Sequence, residues 1–254
     1  MISIKSTREI ELMRVAGKVN NETINEIKKN LVPGITTKKL DQIAHDFIIK
    51  NDCTPSCLGY EGYPASVCIS INDEVVHGIP SNRKIKNGDI VSIDLVVCYK
   101  GYHADATRTF IVGDVSKDVK DLVDNTKKAF YEGLSKVKNG ARVYEISRAI
   151  EDFAHKHNLG VVEELVGHGI GSDMHEEPDI PNYDTGSNIR LKTGMVIAIE
   201  PMLTLGNKDI YLDEVDGWTV KTLDGLPAAH YENTVLVTDD GYEILTGEWL
   251  NGKK

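Results

Sequence analysis

Two short segments of the sequence align with each other without gaps, and this internal repeat constrains the fold more than any other feature. They are ITTKKLDQIAHDFI, residues 35–48, and ARVYEISRAIEDFA, residues 141–154. The alignment pairs Leu40 with Ile146, and the apolar residues of both segments recur at helical spacing. Each segment is therefore predicted to form a short amphipathic helix, and the chain to be internally duplicated.

A longer helix is predicted before each copy, and apolar strands after it. Ser6 and Glu9 resemble a capping box at the start of the first long helix, and the second is predicted over residues 117–138. Two helices followed by strands, twice over, predict an α+β fold whose helices cover one face of a mostly antiparallel sheet. We expect a single domain, residues 1–254, with halves of roughly 1–113 and 114–254. If the strands of both halves join in one sheet, equivalent residues meet at its centre, where a shared site would form.

The composition is that of an ordinary globular protein. Of the 254 residues, 41% are hydrophobic, and no apolar run is long enough to span a membrane, which predicts a cytoplasmic protein. The formal net charge of -10 opposes electrostatic attraction to nucleic acid or to an anionic membrane. The cysteines have neither zinc-ribbon nor thioredoxin spacing, so we expect reduced, packed thiols.

Acidic residues interrupt two neighbouring apolar strands in GDIVSIDLVVCYKGYHADATRTF, residues 88–110. Strand alternation places Asp94 on the less apolar face of its strand. If residues 100 and 101 form a two-residue turn, Val96 lies opposite Asp105, and Asp94 is the diagonal neighbour of Asp105 on the same face. Two carboxylates would then point into one space, whereas a register change of one residue would separate them.

Two further acids lie in apolar surroundings, Glu200 in GMVIAIEPML and Glu232 in HYENTVLVTDDGYEI. Buried like charges need a proton, an Arg or Lys side chain, or a metal ion as compensation. Arg108 is the nearby cation in the two central strands, and alternation points it away from Asp105. A divalent cation is therefore the better candidate.

Histidines occur beside small residues that permit close backbone approach. His168 and His175 lie in GHGIGSDMHEEP, and His77 follows an apolar strand at the predicted mouth of a loop. Each histidine alone is more often a satisfied core, surface or turn residue. One or two of these imidazoles together with four carboxylates form an oxygen-rich ligand set suited to Mn, Fe, Co or Zn, and four negative charges would balance two divalent ions. Such a pair activates water for hydrolysis, and no serine-nucleophile or phosphate-loop motif competes with that interpretation.

These segments, together with GYPASVCISINDEVVHGIP, are similar to the type I methionine aminopeptidases of the short bacterial kind, over about residues 6–247. The resemblance implies the pita-bread fold, in which two pseudo-symmetric αβ halves with a curved, mostly antiparallel sheet enclose a central site. It also implies the activity: removal of the initiator methionine from nascent proteins and peptides when the second residue is small. The interval between Glu200 and Glu232 leaves no room for the helical insertion of type II members.

The resemblance implies a metal ligand set and catalytic roles. The ligands would be Asp94 on one ion, His168 and Glu200 on the other, and Asp105 and Glu232 bridging both. In catalysis, His175 would bind the substrate carbonyl or its oxyanion, His77 would contact the scissile amide nitrogen, and Glu200 would shuttle a proton.

The resemblance further implies a methionine pocket and a site for Na or K. The pocket residues would be Cys57, Tyr60, Tyr63, Cys68, Met174 and Trp218, an apolar lining rich in sulfur and aromatic rings that suits a thioether. Met174 stands where many relatives carry an aromatic residue, which leaves the selectivity of the pocket open. The monovalent cation would be bound by the backbone carbonyls of Asn72, Glu74 and Ala228.

Two other functions are weighed on the same fold. A proline-specific aminopeptidase or prolidase shares the five metal ligands but usually carries an extra N-terminal domain. A non-catalytic binding module is what some relatives have become after losing ligands, whereas all five are present here. The expected partners are polypeptide N-termini that begin with Met and, transiently, the ribosome. We expect no specific nucleic acid, no membrane partner and a monomer.

Overall fold

The computed structural model describes residues 2–247, which contain four α-helices. Three of these helices begin with an N-cap residue whose side chain accepts a backbone N–H. Ser6 forms the predicted capping box with Glu9, and Thr36 and Ser116 accept backbone N–H groups of the second and third helices. The third helix ends at Leu134, four residues before the approximate end predicted from the sequence. Turn hydrogen bonds at Lys136 and Val137 follow it, and Val137 is buried. The helices are α1 (Thr7–Asn30), α2 (Thr37–Lys50), α3 (Lys117–Leu134) and α4 (Val143–Lys156).

The strands pair antiparallel throughout the described part of the chain. They are β1 (Thr54–Pro55), β2 (Cys68–Ile71), β3 (Glu74–Val76), β4 (Ile90–Tyr99), β5 (Tyr102–Ile111), β6 (Gly160–Val161), β7 (Gly167–Gly169), β8 (Glu176–Ile180), β9 (Val196–Ile199), β10 (Met202–Thr204), β11 (Ile210–Leu212), β12 (Val220–Thr222), β13 (Ala228–His230), β14 (Asn233–Val237) and β15 (Tyr242–Ile244). A short 3-10 helix spans Tyr60–Gly62.

Between residues 2 and 247 the strands form four hydrogen-bonded sheets, whereas the sequence left open whether the halves share one. In the first half, β4 pairs with β1, β2 and β5. In the second, the order is β15-β14-β9-β7-β8, and two three-stranded sheets, β13-β10-β6 and β11-β12-β3, complete the fold. The mixture of helices with antiparallel strands confirms the α+β prediction.

The two halves resemble each other in several structural details. The α2 and α4 helices have equal lengths and correspond residue for residue in the alignment of the repeats. Each is preceded by an isolated bridge at an equivalent position, Thr36 with Lys84 in the first half and Arg142 with Arg190 in the second. By the same offset, Asp94 in the first half corresponds to Glu200 in the second.

Each half has its own apolar core between helices and strands. In the first half, α1 and α2 pack on β4 and β5 around buried residues such as Leu40 and Leu95. In the second, Phe130 and Ile146 from α3 and α4 pack against residues of β9 and β14, including Val235. No helix within the described range is long and apolar enough to cross a membrane.

Candidate metal centre

The β4–β5 hairpin brings the first two carboxylates together in the predicted register. Lys100 and Gly101 form the two-residue turn, both with positive φ (49° and 83°). Val96 lies opposite Asp105, and Asp94 lies opposite Thr107. Because side chains alternate along a strand, Asp94 and Asp105 project from the same face of the hairpin, as the sequence predicted.

The second pair of carboxylates lies where β9 ends and β14 begins. Asn233 pairs with Ile199, and the same register continued by one residue places Glu232 opposite Glu200. Thr107 binds Glu232 through two contacts, because its hydroxyl donates to the Glu232 carboxylate at 2.9 Å and its carbonyl accepts the Glu232 N–H at 3.0 Å. This contact holds the β9–β14 pair against the β4–β5 hairpin.

Thr234 makes the matching contact on the other side of the junction between β5 and β14. Its hydroxyl accepts the Asp105 N–H at 2.8 Å and donates to the Asp105 carbonyl at 2.9 Å. The hydroxyl groups of Thr107 and Thr234 therefore connect β5 of the first half with the β14 segment of the second. The sequence analysis missed both threonines, although Thr107 and Thr234 each lie two residues after a predicted ligand, on the same strand face.

His168 lies on β7 between β8 and β9, and the glycines around it are explained by close packing. A Cβ at Gly167 would lie 2.4 Å from the Ala198 carbonyl oxygen, and one at Gly169 would lie 2.3 Å from the Glu177 carbonyl oxygen. The Nδ1 atom of His168 donates to the Gly169 carbonyl at 2.8 Å, which leaves Nε2 unprotonated and available as a ligand.

Two overlapping groups of ligand atoms form from these side chains, each with all atoms within 4.8 Å of one another. One group contains Asp105, His168 and Glu232, and the other contains Glu200, His230 and Glu232. Glu232 belongs to both. Among the residues from 2 to 247, Asp94 belongs to neither group at this spacing, although it lines the adjoining cavity beside Asp105.

The second group contains a histidine that the sequence analysis did not single out. His230 ends β13, and its Nε2 lies 3.3 Å from a carboxylate oxygen of Glu200. The signal was the spacing, because His230 stands two residues before Glu232, where strand alternation gives both side chains the same face.

Burial and mutual repulsion shift the pKa values of the carboxyl groups upward. Burial raises the pKa of Asp105 well above its usual range, and Glu232 and Asp94 raise it further. Burial likewise raises the pKa of Glu232, with Glu200 and Asp94 adding to the shift. The pKa of Glu200 rises through burial and the charge of Asp94. These carboxyl groups resist ionisation because their negative charges would be buried close together. A bound cation would offset that repulsion and so favour the ionised carboxylates.

The donor set fits divalent metal ions. Asp105 Oδ1 and Glu232 Oε1 are buried and have no hydrogen-bond partner in the described structure. Arg108 does not supply the missing charge, because its N–H groups donate to the carbonyls of Thr107 and Glu232 and to the side chain of Asn233. The carboxylate oxygens therefore face one another without a cationic side chain between them, and oxygen-rich sites with one or two imidazoles suit first-row metals.

A cavity of about 360 Å³ opens beside the predicted metal ligands Asp94 and Asp105. The substrate-pocket residues expected from the sequence all lie in its wall, together with Glu61, Asp94, Val96 and Asp105: they are Cys57, Tyr60, Tyr63, Cys68, His77, Met174, His175 and Trp218. Tyr63 and Trp218 meet edge to face with ring centroids 5.1 Å apart. The Tyr63 hydroxyl lies 3.0 Å from the Gly78 carbonyl, which fixes this wall of the cavity.

The two predicted catalytic histidines occupy the same cavity. His175 is exposed at its rim, where Nδ1 lies 2.9 Å from the Tyr60 hydroxyl and the ring packs edge to face on His168, with centroids 4.4 Å apart. His77 is half-buried, and its ring faces that of Trp218. Burial lowers the pKa of His77 to about 4, so its imidazole is neutral at pH 7.

The residues expected to bind a monovalent cation lie together near the start of β4. The Asn72 carbonyl accepts the Ala228 N–H at 2.9 Å, and the Asn72 side chain accepts the Ile90 N–H at 3.0 Å. Glu74, at the start of β3, binds the Ile71 N–H and Arg83 through its carboxylate. The cation itself stays a prediction.

Comparisons of sequence and structure with known proteins point to one metallopeptidase family. The profile of metallopeptidase family M24 matches residues 11–239. A methionine aminopeptidase of Clostridium perfringens is 47% identical over 97% of this chain and 99% of that protein. The crystal structure of methionine aminopeptidase from Rickettsia prowazekii superposes with a TM-score of 0.95 at 42% identity, covering 97% of this chain and 100% of that one. A prolidase from Pyrococcus furiosus shares the fold at a TM-score of 0.78 and 23% identity, and the match covers 66% of that chain.

Proposed function

The chain belongs to metallopeptidase family M24, and on that premise we propose that it is a metal-dependent aminopeptidase that removes the N-terminal methionine of proteins and peptides. The observation that carries the proposal is the position of a cavity with a sulfur and aromatic lining directly beside the metal ligands. When the side chain of an N-terminal methionine occupies that cavity, the peptide bond that follows the methionine would lie next to the metal ligands. A small second residue then fits at the exposed rim, near His175.

The metal ions would be held by Asp105, His168, Glu200 and Glu232, with Asp94 as a further ligand from the hairpin. Asp105 and Glu232 would bridge, and His168 with Glu200 would complete one of the two sites. When bound, two divalent ions supply an activated water and polarise the scissile carbonyl. Co, Mn, Fe and Zn all suit these ligands, so metal supply in the cell selects the native ion.

His77 and His175 would act on the substrate directly. A neutral imidazole at His175 can donate a hydrogen bond to the substrate carbonyl and keep it as negative charge develops on the oxygen. Its ring is oriented by the Tyr60 hydroxyl on one side and by His168 on the other. His77 would contact the nitrogen of the scissile amide, and Glu200 would carry a proton to the leaving amine.

The methionine pocket would select its side chain by shape and by sulfur contacts. Tyr63 and Trp218 form a rigid aromatic wall, and Cys57, Cys68 and Met174 offer polarisable sulfur atoms to a thioether. Met174 is more flexible than an aromatic ring in the same place. We therefore propose that the pocket also admits norleucine-like chains with modest loss.

Further aspects of the proposal concern the whole protein. We propose that residues 1–254 act as one catalytic domain, since the ligands come from both halves (roughly 1–113 and 114–254). The protein would work as a monomer in the cytoplasm, in transient contact with the ribosome, on polypeptides that begin with Met. Na or K bound by the carbonyls of Asn72, Glu74 and Ala228 would stabilise the strands beside the site.

The decisive test is peptide cleavage by metal-stripped protein to which each metal is restored in turn under anaerobic conditions. Met-Gly-Met should be cleaved after metal addition only, and Xaa-Pro peptides should be poor substrates. Preferential cleavage of Xaa-Pro would instead favour a prolidase, and metal binding without cleavage of either peptide would favour a binding module.

Matched variants connect the activity with the site. Asp105→Asn and Glu232→Gln keep the size of each side chain but remove a ligand charge, so they should abolish metal-dependent turnover and lower the bound metal. Asp124→Asn removes an exposed charge on α3 and should leave both unchanged. Full activity of Asp105→Asn at reduced metal content would refute the assignment.

A further inference from the structure

The backbone of His230 is held by the side chain of Thr109. The Thr109 hydroxyl accepts the His230 N–H at 2.9 Å and donates to the His230 carbonyl at 2.8 Å. Thr109 is itself hydrogen-bonded to the Ser92 hydroxyl at 2.8 Å across the β4–β5 hairpin. The start of the segment that carries Glu232 is therefore tied to the same hairpin that carries Asp94 and Asp105.

The imidazole of His230 is buried without a hydrogen-bond partner. The residue is 2% exposed, and neither Nδ1 nor Nε2 has a partner among the described residues. The Nε2 atom lies 3.3 Å from the Glu200 carboxylate but without hydrogen-bond geometry. Buried polar atoms are nearly always satisfied, and an unsatisfied one in a native site calls for an additional group such as an ion.

The surroundings of Nε2 specify the kind of group that is needed. Its neighbours are the carboxylates of Glu200 and Glu232, which are acceptors with excess negative charge, and the three ligand atoms lie within 4.8 Å of one another. The guanidinium of Arg108 is engaged elsewhere, because it stacks at 4.4 Å on the Tyr231 ring and donates to the Asn233 side chain and the Thr246 carbonyl. A divalent cation accepts an imidazole nitrogen and two carboxylate oxygens simultaneously.

We propose that His230 is a sixth protein ligand of the metal pair and binds one ion through Nε2, together with Glu200 and Glu232. The inference rests on the dinuclear site of the proposed function. Each ion would then have one imidazole of its own, His168 on one and His230 on the other, and Glu200 and Glu232 would both be shared. Glu200 can serve both ions, because its Oε1 lies 3.5 Å from His168 Nε2 and its Oε2 lies 3.3 Å from His230 Nε2. A second imidazole adds no negative charge to a site whose carboxylates already repel one another.

The test is the ring ¹⁵N NMR spectrum of histidine-labelled, metal-stripped protein titrated with Zn(II) alone. Through-bond correlation to the backbone assigns His230 and His168, so the measurement does not depend on the folding of any variant. Zn(II) should shift the Nε2 resonances of both residues, whereas the resonances of His45, which is hydrogen-bonded to Ser66 and belongs neither to the cavity wall nor to the two ligand groups, should stay in place.

Affinity measurements provide a second readout. Competition with a chromogenic chelator should show that His230→Gln weakens the binding of one of the two zinc ions by at least about 10-fold, since even outer partners of ligands contribute that much. His45→Gln should leave both dissociation constants within about twofold, and circular dichroism checks that both variants fold.

The outcomes separate the two proposals. A Zn(II)-induced shift of His168 without a shift of His230, or unchanged zinc affinities in folded His230→Gln, would overturn the role of His230 and leave the dinuclear site intact. If neither histidine shifts, the metal site of the proposed function is itself wrong.

Discussion

The buried ion pair between Lys5 and Glu176 provides the sharpest test of how the site is supported. Lys5 Nζ lies 2.5 Å from the Glu176 carboxylate, and the two side chains are 3% and 10% exposed. Glu176 follows His175 directly, so the pair ties the segment before α1 to the loop of this proposed catalytic histidine. Lys5→Met removes the ammonium while keeping most of the apolar stem. The Glu176 charge is then left buried with two long contacts, from the Asp173 N–H at 3.3 Å and the Ser172 hydroxyl at 3.5 Å.

Breaking a buried pair by removing one partner costs about 3–5 kcal/mol, which for a protein of this size corresponds to roughly 6–20 °C in Tm. Lys5→Met should show this loss in urea unfolding, and Lys5→Met/Glu176→Gln should recover at least about 2 kcal/mol of the summed single costs. Lys117→Met, which breaks an exposed pair with Asp121, should cost less than about 1 kcal/mol. If Lys5→Met costs no more than Lys117→Met, or if the double variant is additive, the buried pair does not support the loop.

Three further outcomes are expected. Hydrogen bonds lower the pKa of Glu9 from 4.5 to about 2, and the bond from the Tyr102 hydroxyl has a larger effect than those from Ser6. Because the folded-state pKa is depressed, the ionised Glu9 stabilises the fold above pH 4.5, and this contribution is lost as the pH falls toward 2. In urea titrations of metal-free protein, the loss of unfolding free energy caused by Tyr102→Phe should therefore become smaller as the pH is lowered from 4.5 toward 2. A loss that does not change with pH would contradict this prediction. Gly167→Ala places a methyl group against a strand carbonyl and should cost about 1–3 kcal/mol and weaken metal binding, whereas Gly241→Ala, which meets nothing within 4 Å, should do neither. Chelation should lower Tm in wild-type protein but not in Asp105→Asn, whose metal-free form is relieved of one buried charge; an equal drop in both would show that the ions do not stabilise the fold through this carboxylate.

The sequence predicted local structure and register well, because short-range signals determine both. The capping box, the repeated helices and the hairpin turn at Lys100 and Gly101 follow from neighbouring residues, and the hairpin register in turn brings Asp94 and Asp105 to one face. The comparisons confirm the resemblance to methionine aminopeptidases and the pita-bread fold.

Long-range contacts were the part that the sequence did not reveal. The clamp of Thr109 on His230 and the two threonine bridges between β5 and β14 join residues more than a hundred positions apart, and no local pattern marks them. The distance of Asp94 from both ligand groups likewise depends on how the two halves approach each other.

The correspondence between Asp94 and Glu200 has a consequence for how such a site can be tuned. Two identical subunits related by a true twofold axis must present the same side chains from both sides. Here both halves lie on one chain, so equivalent positions are free to differ: one side offers the shorter carboxylate and the other a carboxylate longer by one methylene, and the strand pairings place His168 of β7 where the first half has Ser70 of β2. Covalent linkage thereby permits two chemically unequal pockets for ions that symmetry would otherwise have made alike.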